Sequence, residues 1–180
     1  WFKGAALNIT ENCLDRHLET RGDQTAIIWE PNNPEKHSRS LTYRQLHAEV
    51  CKAANMLKHA GVSKGDRVCI YMPMVPEAAV AMLACARIGA IHSVVFAGFS
   101  AQSLTDRIND AGCSLVITAD GVFRGAKAIG LKDIVDEALQ QCTTIRNVIV
   151  LKHTLSDIQW TAGRDIWWHE AIADCSEECQ

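Results

Sequence analysis

The apolar residues of this chain recur with two periods, which predict helices and strands in alternation. From residue 42 to residue 60 they return every three or four positions, as on one buried face of a helix. Thr42 and Gln45 form a capping box, and Gly61 supplies a stop signal, so we expect a helix between them. The apolar face of this helix consists of Leu46, Val50, Ala54 and Leu57.

Strands and helices continue to alternate beyond this point. Short apolar runs predict strands at 67–71, 91–96, 114–118 and 146–151. Predicted helices occupy 76–87, 100–111 and 131–141. Pro76 and Ser100 are start signals for two of them, and the strand at 91–96 is apolar on both faces. Such alternation indicates βαβ units, so we predict an α/β fold with a mostly parallel sheet flanked by helices.

The two ends of the chain carry weaker patterns. Near the amino terminus we expect a short helix at 13–19, a strand at 25–30 and a hairpin partner at 38–41. After Lys152 we expect a loop at 160–168 and a short helix at 169–174. The chain therefore divides into an amino-terminal extension and hairpin (1–40), an α/β core subdomain (41–152) and a connecting segment (153–180).

Composition excludes two classes of partner. Among 180 residues there are 18 Lys plus Arg and 21 Asp plus Glu, which gives a net charge of −3 with no charged run. This balance provides no basic field for nucleic acid or for an anionic membrane. The apolar stretch at 68–99 is interrupted by Pro73, Glu77 and Arg87, so a strand, a helix and a second strand explain it better than a membrane span.

The eight cysteines favour a reducing compartment, so we expect a cytoplasmic protein. Several of them lie in apolar periodic segments, where free thiols behave as small hydrophobic residues. Cys175 and Cys179 flank Ser-Glu-Glu, but no His follows at metal-ligand spacing. We therefore predict no metal site.

The candidate chemistry lies between residues 87 and 127. A buried strand runs into the small-residue turn Ala97-Gly98, and after the next strand Arg124 and Lys127 follow three residues apart. Ligands of open α/β sheets bind beyond the carboxyl ends of the strands, and Arg and Lys are the cations for phosphate. If they were helical, Arg124 and Lys127 would share one face, and from their spacing alone a solvated surface pair is the stronger interpretation. Ser100 is a helix cap rather than a nucleophile, because no Gly-x-Ser-x-Gly elbow surrounds it.

Resemblance extends the interpretation beyond these residues. The segments WFKGAALNITENCLDRHL, TAIIWEP, LTYRQLHAEVCKAANMLKHAGVSKGDRVCIYMPMVPEAAVAMLACARIGAIHSVVFAGFS and LVITADGVFRGAK closely resemble the amino-terminal part of the acetyl-coenzyme A synthetases. These are AMP-forming acetate–CoA ligases of the adenylate-forming superfamily. The resemblance implies that the chain is part of their large amino-terminal domain, and that the parent protein makes acetyl-CoA from acetate, Mg²⁺·ATP and CoA through acetyl-adenylate.

The same resemblance implies a CoA site in this chain. Phe96, Ala97 and Gly98 match the residues that line the adenine pocket, Arg124 and Lys127 match the phosphate-binding pair, and Ile129 would lie near the base. Some members of the family carry Gly at the position of Ala97 and a second Arg at the position of Lys127.

The family's ATP-phosphate loop, its acyl pocket and its catalytic Lys have no counterpart in these residues. We therefore expect no catalytic residue in the chain, ATP and Mg²⁺ held by the remainder of the same polypeptide, and no ligase activity from the fragment alone. A stand-alone CoA- or nucleotide-binding module, or a ligase for propionate or another short acid, remains an alternative.

Overall fold

A five-stranded parallel sheet forms the centre of the computed structural model, which describes residues 3–33, 35 and 37–180. In chain order its strands are β3 (Arg67–Tyr71), β4 (Ile91–Val94), β5 (Leu115–Ala119), β8 (Asn147–Leu151) and β9 (Asp165–Trp167). They lie in the spatial order β4-β3-β5-β8-β9. Two antiparallel hairpins accompany the sheet: β1 (Thr25–Trp29) with β2 (Arg39–Thr42), and β6 (Gly121–Arg124) with β7 (Lys127–Gly130). The predicted α/β class is confirmed.

Seven α-helices connect or flank these strands in the described part of the chain. They are α1 (Ile9–Cys13), α2 (Leu18–Arg21), α3 (Tyr43–His59), α4 (Pro76–Arg87), α5 (Ala101–Ala111), α6 (Leu131–Leu139) and α7 (Trp168–Ala171). A 3₁₀ turn (Asp15–His17) separates the first two. None of the described helices is long and apolar enough to cross a membrane.

The sheet separates two hydrophobic cores, because successive strand residues point to opposite faces. On β3, Val68 and Ile70 face the core beneath α3 and α4, whereas Cys69 and Tyr71 face the core beneath α5 and α6. The carboxyl ends of the strands are therefore covered on both sides and open only at the rim.

Local end signals place several helices as predicted. Thr42 Oγ1 accepts the Gln45 N–H at 3.2 Å, and Gln45 Oε1 accepts the Thr42 N–H at 2.9 Å, which completes the capping box of α3. Ser100 caps α5 by accepting the Ser103 N–H. Gly112 ends that helix in the left-handed region with φ 60°, where a side chain would add strain.

Three predictions about elements are wrong. The helix expected at 13–19 is broken into α1, the 3₁₀ turn and α2. The strand expected at 91–96 ends at Val94 and lies at the edge of the sheet, where Ile91 and Val94 are each 55% exposed. Residues 165–167, expected in a loop, form β9 and join the main sheet. The division of the chain at residues 40 and 152 stays a prediction.

Candidate functional site

The hairpin β6–β7 places the two candidate cations directly opposite each other. Arg124 and Lys127 are cross-strand partners in its register, joined by a two-residue loop in which Gly125 has φ 60°. Both side chains are exposed. Like charges directly opposite each other on a hairpin destabilise it. In the part of the chain that the structure describes, neither Arg124 nor Lys127 has a carboxylate within ion-pair distance. A bound anion would relieve this repulsion.

Ile129 lies on the same face of the hairpin as the two cations. It pairs with Val122, and each of these residues is two positions from a member of the charged pair. Cross-strand partners and residues two apart share a face in a β-ribbon. This face therefore carries two positive charges at its tip and an apolar pair nearer its base.

The second part of the site is the turn that follows β4. The Phe96 carbonyl accepts the N–H groups of Gly98 at 2.7 Å and of Phe99 at 3.0 Å, so the chain reverses within three residues. Phe96 is 57% exposed at this turn, whereas Ala97 is 8% exposed and packs its methyl in the core beneath α5 and α6.

Close approach at Gly98 brings the two parts of the site together. A Cβ built on Gly98 would lie 2.5 Å from Cε1 of Phe96 and 2.7 Å from Nη2 of Arg124. The Arg124 guanidinium lies over the Phe96 ring, with Cζ 5.3 Å from the centroid. Only a residue without a side chain leaves this stacked arrangement undisturbed.

The aromatic and cationic contacts extend beyond the predicted residues. Phe96 and Phe99 meet edge to face with their centroids 5.9 Å apart, and Arg107 of α5 lies over the Phe99 ring at 5.1 Å. The result is a surface of two rings flanked by two guanidinium groups. Arg107 was missed at the level of sequence because an exposed helical Arg carries no signal of its own.

Tyr71 supports this turn from below. It is fully buried at the carboxyl end of β3, and its hydroxyl donates to the Phe99 carbonyl at 2.7 Å. Burial raises the pKa of the Tyr71 hydroxyl above its usual value, and the positive charge of Arg124 acts in the opposite direction. The hydroxyl therefore remains a neutral hydrogen-bond donor that holds the turn near Arg124.

Asp120 is a second residue that the sequence did not single out. It follows β5 directly, is 1% exposed, and accepts the backbone N–H groups of Gly121, His153, Thr154 and Leu155. An acidic residue between a buried strand and a glycine is the only signal that could have marked it. It joins the base of the hairpin to the loop after β8.

The arrangement of these groups suits the binding of a ligand. It offers an exposed ring, a glycine without a side chain, and two cations that have no ion-pair partner among the described residues, which together suit a flat heterocycle with phosphate groups. Among the described residues, no group of three or more His, Cys, Asp or Glu side chains is arranged to hold a metal ion. The structure brings Phe96, Gly98 and Arg124 into contact, places Lys127 and Ile129 on the adjoining face, and buries the Ala97 side chain.

Comparison with known families gives a match over most of the chain. Residues 14–178 match the family model described as AMP-binding enzyme.

Individual relatives are closely similar. Acetyl-coenzyme A synthetase from Alkalilimnicola ehrlichii is 60% identical over 179 residues, which is 99% of this chain and 28% of the relative. Acetyl-coenzyme A synthetase 2 from Pseudomonas aeruginosa is also 60% identical over 179 residues, with the same coverage of both chains. The chain thus spans 28% of the length of these curated relatives.

Among solved structures, the acetoacetyl-CoA synthetase from Streptomyces lividans has a similar fold. It superposes with a TM-score of 0.87 at 31% sequence identity, covering 98% of this chain and 26% of that protein.

Proposed function

Because this chain belongs to the AMP-binding enzyme family, we propose that it is the CoA-presenting part of an acetate–CoA ligase. Two acetyl-coenzyme A synthetases that are 60% identical over 99% of the chain support the choice of reaction. In the proposed reaction, acetate attacks the α-phosphorus of ATP and releases pyrophosphate. The CoA thiol then attacks the carbonyl carbon of acetyl-adenylate and releases AMP.

The observation that carries the CoA assignment is the contact between Arg124, Phe96 and Gly98. The nucleotide end of CoA combines an adenine with a 3′-phosphate and a diphosphate, so its receptor needs a flat apolar surface beside positive charge. The exposed Phe96 ring would stack on the base, and Gly98 lets Phe96 and Arg124 lie close to its backbone.

The two cations would hold the phosphates in different ways. The planar guanidinium of Arg124 is able to form two parallel hydrogen bonds to one phosphate, whereas the ammonium of Lys127 acts as a point charge. Ile129, on the same face of the hairpin, would contact the edge of the base. In this proposal the chain positions CoA, while Mg²⁺·ATP and acetate bind to other residues of the protein.

The choice of acid rests on similarity alone. Identity to the acetyl-coenzyme A synthetases is about twice that to the acetoacetyl-CoA synthetase, 60% against 31%, which favours acetate. Activity of the full-length protein with acetate, propionate and acetoacetate tests this choice. A higher kcat/KM for propionate or acetoacetate than for acetate would overturn it.

A stand-alone binding module is not favoured, because the relatives matching 99% of the chain are synthetases of which it spans 28%.

We also propose a reducing, cytoplasmic location. All eight cysteines are free thiols, and burial raises the pKa of Cys69 and Cys85. Fractionation of cells expressing the full-length protein tests this proposal.

The proposed function is tested by separating the two half-reactions in the full-length protein. Hydrogen bonds to charged groups contribute about 1.5–3 kcal/mol, so Arg124→Ala should raise the KM for CoA by roughly tenfold to a hundredfold. Acetate-dependent ATP–pyrophosphate exchange should stay within about twofold of the wild type, because the first half-reaction does not need CoA.

Arg146→Ala is a matched control for this experiment. Arg146 is also exposed, but it precedes β8 and therefore lies at the opposite end of the sheet. Its loss should change neither half-reaction. An equal loss of exchange and of acetyl-CoA formation in Arg124→Ala would contradict the CoA assignment.

A further inference from the structure

The carboxylate of Asp120 is saturated by backbone donors from two separate segments. Its Oδ1 accepts the N–H of Gly121 at 2.7 Å and those of His153 and Thr154 at 2.9 Å, and its Oδ2 accepts the N–H of Leu155 at 2.7 Å. Gly121 is the first residue of β6, and the other three donors belong to the loop after β8. A single buried side chain thus joins the start of the hairpin to a loop more than thirty residues away in sequence.

The backbone of Asp120 holds the other end of the same hairpin. Its carbonyl accepts the N–H of Leu131 at 3.1 Å, the residue that directly follows β7, and its own N–H donates to the Leu151 carbonyl at 2.9 Å. The first strand of the hairpin therefore starts next to Asp120, and the second strand ends next to it. Asp120 is therefore one of the contacts that hold the hairpin against the rest of the fold, together with Asn32, whose Nδ2 donates to the Gly125 carbonyl at 3.1 Å.

Two independent features show that the surroundings of this carboxylate are tightly constrained. Leu155 has φ 60°, a left-handed conformation that leucine rarely adopts, and its N–H is the one bound by Oδ2. At the base of the hairpin, a Cβ on Gly121 would lie 2.6 Å from Thr154 Oγ1 and 2.8 Å from the Ile129 carbonyl. The loop after β8 and the hairpin are therefore in direct contact around Asp120.

We propose that Asp120 is a positioning residue for CoA, whose buried carboxylate seats the β6–β7 hairpin on the loop after β8 so that Arg124 lies over Phe96. This inference rests on the proposed function. The hairpin is a two-stranded ribbon outside the main sheet, and such a ribbon is only marginally stable alone. Its tip, with Arg124 and Lys127, is held by one hydrogen bond from Asn32 to the Gly125 carbonyl, whereas Asp120 holds its base through several.

The chemistry of the site requires a carboxylate. Four N–H groups converge on two oxygens, and only an ionised acid presents acceptors alone. The amide of asparagine would direct an NH₂ group toward at least one of these donors. Asp120→Asn keeps the shape and volume of the side chain, so it tests the hydrogen-bonding role without creating a cavity.

The experiment compares the two half-reactions in the full-length protein. Asp120→Asn should raise the KM for CoA at least fivefold, while acetate-dependent ATP–pyrophosphate exchange stays within twofold of the wild type. Thr105→Val is the control for a general loss of stability. Thr105 is buried between α5 and α6, where its hydroxyl lies within hydrogen-bonding distance of the Ala101 and Ala138 carbonyls. This control should lower the melting temperature and leave the KM for CoA unchanged.

A second variant perturbs the same contact with Asp120 intact. Gly121→Ala would push the base of the hairpin away from Thr154, so it should also raise the KM for CoA and spare the exchange reaction. It stands in for Asp120→Asn if that protein does not fold.

The outcomes separate this inference from the proposed function. If Arg124→Ala raises the KM for CoA but Asp120→Asn and Gly121→Ala do not, the positioning role is overturned and the CoA site stands. The positioning role is also overturned if both half-reactions fall together in Asp120→Asn. If Arg124→Ala has no effect on the KM for CoA, the proposed function fails first.

Discussion

The guanidinium carbon of Arg124 lies 5.3 Å from the centroid of the Phe96 ring. Arg124 is the last residue of β6, in the hairpin after β5, whereas Phe96 follows the edge strand β4. The contact exists because parallel strands bring their carboxyl ends to one rim of the sheet. At an exposed site such a cation–π pair contributes about 0.5–1 kcal/mol of stability. An interaction this weak leaves the ring and the guanidinium free to contact a ligand base as well.

Lys127→Arg should be tolerated or should improve CoA binding. The position is exposed at the tip of the hairpin, so the larger guanidinium meets no packing restriction, and it gains the ability to bind a phosphate through two hydrogen bonds. We expect a KM for CoA equal to or below that of the wild type. Lys127→Glu is the opposing variant and should raise this KM by roughly tenfold or more. A KM that does not respond to charge reversal would show that Lys127 lies away from the phosphates.

Gly98→Ala should impair CoA use through a steric effect. The added methyl would overlap the Phe96 ring and the Arg124 guanidinium, so one of the two must leave its position. We expect a rise in the KM for CoA with little change in ATP–pyrophosphate exchange.

The matched control for this variant is Gly65→Ala. Gly65 precedes β3, has φ 87°, and has no atom within 4 Å of an added Cβ. It should cost about 1–2 kcal/mol of stability, because alanine is strained at positive φ, and leave CoA use unchanged. Equal KM values for CoA in the two variants would contradict the role given to Gly98.

Lys132→Met should strongly destabilise the protein. The Lys132 side chain is fully buried, and its ammonium lies 2.7 Å from Asp136 Oδ2 and 2.9 Å from Asp165 Oδ2. Removing it leaves the buried Asp165 with Arg164 as its remaining ion-pair partner among the described residues, so the loss should be about 1.5–3 kcal/mol in denaturant unfolding, as for a hydrogen bond to a charged group. The buried pair joins α6 to β9 and helps to attach the last strand to the sheet.

Lys52→Met provides the comparison for an exposed pair. Lys52 lies 2.8 Å from Glu177, whose side chain is 64% exposed, so solvent screens the interaction. The expected change is below about 1 kcal/mol. Similar losses in Lys52→Met and Lys132→Met would argue against a buried ion network.

The protein should lose stability in acid partly through Asp15. Two hydrogen bonds from Arg87, at 2.8 and 2.9 Å, hold the pKa of this carboxyl below its ordinary value of 3.8. Because the pKa of Asp15 is lower in the folded protein than in the unfolded chain, its ionised carboxylate stabilises the fold at pH values above the pKa of the unfolded state. This contribution disappears as the pH falls through the pKa of the folded state. In Asp15→Asn, unfolding midpoints should therefore decline less steeply below pH 3.8 than in the wild type. Identical slopes in the two proteins would contradict a linked proton at Asp15.

Local signals account for the elements that the sequence predicts well. The capping box of Thr42 and Gln45, the proline at Pro76 and the cap at Ser100 all act within one helical turn, and the corresponding helices begin where they were expected. By contrast, β9 and the β6–β7 hairpin depend on pairing with other segments. The segment Gly121-Val-Phe-Arg has neither the long apolar run of a main-sheet strand nor the periodicity of a helix. It forms a strand because it pairs with β7 across the turn.

The candidate site divides in the same way. Residue spacing alone left Arg124 and Lys127 as either a surface pair or a phosphate clamp, and only resemblance to a family connected them with CoA. The sequence by itself determined the α/β class, the helix starts and the balance of charge, since these follow from periodicity and from contacts within a few residues. The tertiary structure decided that Gly98 meets Arg124 and that Asp120 collects N–H groups from two segments, because such contacts depend on distances between parts of the chain that no local pattern encodes.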